Sequence, residues 1–109
     1  MTTVTVFEDP TGIHRGFEIS GHAGWADKGG DIVCAAISVL TITTVNSIET
    51  FALKEGEYEE TVDDEGGYVK LEFYRAGHDT QLLIDSMLLG LRELEQKYPE
   101  YIRIIIRKV

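Results

Sequence analysis

The only cysteine of this 109-residue chain, Cys34, follows His22 by twelve positions and has Asp31 and Ser38 within four residues of it. A thiolate is a strong nucleophile, and an imidazole exchanges protons near neutral pH, so the pair is the minimum equipment for acyl transfer through a thioester. The stretch GHAGWADKGGD that joins them carries Gly21, Gly24, Gly29 and Gly30 within ten residues, which predicts a flexible loop. With four glycines and no aliphatic side chain larger than alanine, that loop is expected to move in the free protein and to order on substrate, with Trp25 as a built-in probe. Asp31 is a natural helix N-cap. If it caps, Cys34 falls in the first helical turn, where the helix dipole favours thiolate. Plainer readings compete. A lone cysteine in a helix is most often a small packed hydrophobe. The glycine-rich stretch matches neither GxxxxGK[ST] nor GxGxxG, and His14, His22, His78, Cys34 and Asp31 lack the close spacing of zinc motifs, so no metal or organic cofactor is expected.

The elements that must position these residues follow from periodicity. Thr2 to Phe7 and Ile13 to Ser20 alternate as strands, joined by a turn at Asp9-Pro10-Thr11-Gly12 into an antiparallel hairpin. Val33, Ile37, Leu40, Thr44, Ile48 and Phe51 recur at three and four, predicting a helix from Ile32 to about Leu53. Glu57–Val62 and Tyr68–Tyr74 read as a second hairpin, with Val69, Leu71 and Phe73 inward. The run from Glu55 to Tyr68 holds seven acids and no base, which reads first as a solvated hairpin tip. Asp79 is placed to cap a helix over Thr80–Tyr98, with Leu83, Ile84, Met87, Leu88, Leu91 and Leu94 apolar and Gly90 an interior weak point. Tyr101 to Arg107 is the last strand. The order ββαββαβ predicts a single α+β domain over residues 1–109, a mostly antiparallel sheet with two helices on one face.

Composition narrows the class. With 43% hydrophobic and 27% charged residues, the chain is globular in character. A net charge of −9 argues against a phosphate-binding surface, so no direct nucleic-acid partner is expected, and it suits a basic partner. No uninterrupted apolar run approaches the ~20 residues of a membrane helix, and the start MTTVTVFED lacks the pattern of a secretory signal, so no membrane partner is expected. One cysteine forms no internal disulfide, which fits a reducing cytoplasm.

Gly21-His22-Ala23-Gly24, then Gly30-Asp31-Ile32-Val33-Cys34-Ala35-Ala36 with Ser38 behind, resembles the signature of the ribosomal-processing cysteine protease family, Prp. The length, the Asp-opened second helix and the Tyr-Pro-Glu-Tyr-Ile stretch agree with it. The resemblance implies a bacterial, dimeric cysteine endopeptidase that removes the N-terminal extension of the twenty-seventh large-subunit ribosomal protein. It implies His22 and Cys34 as catalytic, with Asp31 and Ser38 supporting, and no departure occurs at these four positions. Under it, His22 accepts the thiol proton, and N–H groups of the first helical turn, that of Cys34 included, stabilise the oxyanion. The alternative is a nonenzymatic ribosome-associated or protein-binding module that uses Gly21–Gly30 for recognition and buries Cys34 as packing.

Overall fold

A computed structural model describes residues 1–21, 28–63 and 67–109, without the side chains of 28–31. Strand β1 (Thr2–Glu8) pairs antiparallel with β2 (His14–Ser20), with Val4 opposite Ile19 and Val6 opposite Phe17. The turn between them is the one expected. The Asp9 carboxylate accepts from Thr11 N at 2.9 Å, Thr11 Oγ1 at 2.6 Å and Ile13 N at 3.1 Å, while Gly12 N donates to Asp9 O at 3.0 Å. Strand β3 (Tyr58–Asp63) and β4 (Tyr68–Phe73) form the second hairpin, and β4 docks antiparallel on β2. The last strand, β5 (Ile102–Lys108), lies parallel to β1. The sheet order is therefore β3-β4-β2-β1-β5, in the predicted element order.

Alternation sorts this sheet into two faces. Val4, Val6, Phe17, Ile19, Leu71, Phe73 and Ile102 point inward and are buried. Helix α1 (Lys28–Ser47) and helix α2 (His78–Lys97) cover that face with Val33, Ile37 and Val45 from the first and Ile84, Met87, Leu88 and Leu91 from the second. A π-helical turn, Ile48–Ala52, extends α1, and Leu53 N closes it on Ile48 O at 2.8 Å, five residues back. It drops Ile48 into the core while Phe51, expected on the inner stripe, is 76% exposed. The extra residue in the turn rotates the stripe, so a period of 3.6 no longer applies at Phe51. Gly90 is explained by a close approach: a Cβ there would sit 3.1 Å from both Leu40 methyls, so glycine lets α2 lie against α1.

Three expectations are corrected. Helix α1 starts at Lys28, four residues before Ile32, so Asp31 lies inside its first turn and is not the N-cap. Gly29 and Gly30 are helical and are not part of a loop. Helix α2 is capped by the extended backbone of Gly77, with no side-chain cap, so Asp79 sits in the first turn, where its charge still suits the helix dipole. Propensity was a poor guide at the first of these, because glycine is a weak helix former that tertiary packing overrides. The membrane reading also changes. The segment Ile32–Ala52, 21 residues, is long and apolar enough by length and composition to cross a membrane, because scattered Thr, Ser and Asn interrupt an apolar run without making it polar. Its inner side packs on the sheet, and Ile32, Val39, Ile42 and Phe51 remain exposed.

Candidate active site

Cys34 is the seventh residue of α1 and stands half-buried at the edge of the core, one position from fully buried Val33. Helical spacing aligns it with Ser38 one turn on, and aligns Ile37 with Thr41 beside them. These residues and Ile42 form the helical wall of a cavity of about 210 Å³. Ile19 and Val69, neighbours across β2 and β4, supply its sheet side. The rim is made by Gly21, Gly67, Tyr68 and Asp63, at the end where β2 stops and the β3–β4 hairpin turns. The thiol-bearing helix thus faces the ends of three strands across a cleft with an aliphatic floor and a polar lip.

Local chemistry holds the lip in place. Gly21 has φ +87°, and a Cβ there would lie 2.5 Å from Met1 O, so only glycine fits where β2 gives way to the following residues. Its N–H donates to Gly67 O at 3.1 Å, which ties the end of β2 to the start of β4. Tyr68 donates its hydroxyl to Glu18 Oε2 at 2.8 Å. That hydrogen bond, then burial, holds the Tyr68 phenol above its ordinary pKa, and its one proton is committed to Glu18. On the helix, Thr41 Oγ1 donates to Ile37 O at 2.8 Å, which satisfies the buried hydroxyl.

The sequence-derived residues fare differently. Cys34, Ser38 and Gly21 come together on one cavity. Asp31 is on the same helix, with its side chain outside the description. His22, Gly24 and Trp25, and with them the expected loop, lie outside the described residues. The new start of α1 also moves Cys34 beyond the four amides that a helix leaves without partners, so its own N–H is not available to an oxyanion. Among the described residues, no three His, Cys, Asp or Glu side chains converge as metal ligands. Sequence reasoning missed Asp63 and Tyr68 as cavity residues. They belong to the acidic stretch read as a solvated tip, and only strand pairing brings its inner end to the thiol.

Comparison with known proteins gives one consistent picture. The family model described as cysteine protease Prp matches residues 1–103. A Bacillus subtilis (strain 168) protein named ribosomal processing cysteine protease Prp is 33% identical over 93 residues, 81% of each chain. The solved structure of an essential ribosomal processing protease Prp from S. aureus, in complex with a covalently linked product peptide, superposes with TM-score 0.87 at 30% identity, covering 98% of this chain and 100% of that one. A structure of that protease with a substrate peptide matches equally well, at 29% identity and TM-score 0.87 over 98% of this chain and 100% of that one.

Proposed function

This chain belongs to the cysteine protease Prp family and is a cysteine protease, and we propose that Cys34 is its nucleophile, His22 its general base and a ribosomal protein precursor its substrate. The observation that carries the assignment is the placement of the only thiol on the wall of a cleft at the ends of the strands. Family membership sets aside the nonenzymatic module.

In this reading the peptide lies along the cleft with its scissile carbonyl at Cys34. His22 takes the thiol proton as sulfur bonds to the carbonyl carbon, then gives that proton to the departing amine. The thioester left on Cys34 is attacked by a water that His22 deprotonates, which releases the carboxylate product and restores the thiol. Asp31 orients His22, and Ser38 supports the thiol side of the helix. The oxyanion is met by amides other than that of Cys34, and the first turn of α1 is the nearest source of free ones in sequence. The substrate we infer is the twenty-seventh large-subunit ribosomal protein, cut to remove its N-terminal extension. The active species is a homodimer working in the cytoplasm.

The test is incubation of the purified protein with the extended ribosomal protein, with the new N-terminus identified by mass spectrometry. Removal of the extension by wild type and its absence with Cys34→Ala supports the reading. Cleavage that persists in purified Cys34→Ala overturns it. Sedimentation equilibrium at twice the 12.2 kDa chain mass is expected for the dimer.

A further inference from the structure

A second cavity of about 240 Å³ lies next to the thiol cleft along α1 and shares Thr41, Ile42 and Val69 as lining residues. Its own sides are Val45 from α1 and Val62 from edge strand β3, and its polar end is formed by Asn46, Glu49 and Glu60. Glu49 comes from the π-helical turn and Glu60 from the middle of β3, so the two carboxyl groups meet across the groove from different elements.

A groove with aliphatic walls and a carboxyl pair at its end matches one kind of side chain. Lysine and arginine carry a methylene stem that packs on apolar surface and a charged head that seeks acceptors. Among the described residues no Lys, Arg or His of the chain is ion-paired with Glu49 or Glu60. Hydrogen bonding to Glu60, then burial and like-charge repulsion, raise Glu49 to about 7. An incoming cation relieves that repulsion, which no ion pair among the described residues compensates.

We propose that the groove between α1 and β3 is a specificity subsite, in which Glu49 and Glu60 bind a Lys or Arg side chain of the substrate at a position removed from the cleaved bond. The inference rests on the thiol cleft being where the peptide is cut. Because Thr41, Ile42 and Val69 line both cavities, a chain that crosses Cys34 and runs on along α1 reaches the acid pair.

The experiment uses a fluorogenic peptide spanning the cleavage site, with a single Lys moved through each position and norleucine, which keeps the stem and removes the charge, as the reference at that position. Wild type is expected to favour Lys over norleucine about tenfold in kcat/KM at one position, mainly through KM, since the contact is away from the reacting atoms. In Glu49→Gln/Glu60→Gln the ratio falls to about one at that position. In Glu60→Lys a peptide with Glu there becomes the better substrate. The same Lys and norleucine pair is titrated against Cys34→Ala by fluorescence anisotropy, so the subsite is read without cleavage. Lys-dependent binding without cleavage by wild type would sink the proteolytic reading and keep the subsite. No preferred Lys position in either assay, or a preference that survives in the double Gln variant, overturns the subsite.

Discussion

Cys34 is the proposed nucleophile, and its position separates chemistry from stability. It is half-buried beside the core, so truncation to alanine removes a sulfur without opening a large internal cavity. Cys34→Ala is expected to lower cleavage by roughly 10⁴-fold or more while keeping the denaturation midpoint within a few degrees. His22→Ala is expected to match that loss, and the double variant to add little, because the two act as one unit. Additive losses would separate them. A second residue-level expectation concerns Glu49, whose carboxyl is raised from 4.5 to about 7 by its bond to Glu60, by burial and by that neighbour's charge. Between those values the folded chain holds a proton that the unfolded chain has lost. Stability from the pair is therefore greatest at the acid end and falls as pH rises from about 4.5 through 7. Both side chains are solvent-exposed, so screening keeps the effect small. Denaturation of wild type against Glu49→Gln at pH 5 and pH 8 checks the sign: wild type should lose stability relative to the variant at the higher pH.

The elements around the cleft are held by backbone contacts as much as by side chains. Gly21 combines φ +87° with a 2.5 Å approach to Met1 O, so any side chain meets both a disfavoured backbone and a carbonyl that cannot swing aside. Gly21→Ala should cost about 1–3 kcal/mol from the backbone strain alone, or several degrees in Tm, and should also impair cleavage, since this residue lies on the rim of the thiol cavity. A thermal melt unchanged from wild type would show that the strand end adjusts without strain. Gly90 is a milder case. Its neighbour is the flexible end of Leu40, so a small side chain gains helix propensity against a contact that can yield. The edge strand β3 carries Glu59, Glu60 and Asp63 on largely exposed positions. Charges there discourage edge-to-edge pairing, and the groove uses the same strand to present its acids.

At the scale of the molecule, 19 acids against 10 Lys and Arg give a field that a basic ribosomal protein would feel before contact. Such steering acts on encounter more than on the bound state. The rate constant kcat/KM for the full-length precursor is expected to fall with added salt more steeply than that for a neutral peptide spanning the cleavage site. Equal salt responses would remove steering and leave the chemistry at Cys34 untouched.

Alternating and helical periods in the chain were enough for the seven main elements, their order and the α+β class, because burial on one face imposes those periods locally. The motif around His22 and Cys34 was enough for the family, since it joins several unusual residue types at one spacing. Helix starts were not determined in this way. Asp31 and Asp79 each looked like a cap, yet α1 begins through Gly29 and Gly30 and α2 at the extended Gly77, because docking on the sheet outweighs local capping preference. Sheet order was not local either: β5 joins β1 in parallel and β4 joins β2, pairings between residues far apart in the chain. Those pairings bring the ends of β2, β3 and β4 to face α1, and so place Asp63 and Tyr68 on the cavity of Cys34 and Glu60 on the neighbouring one. A sequence read in order shows those acids only as a charged turn, because their shared role depends on a distance that folding alone creates.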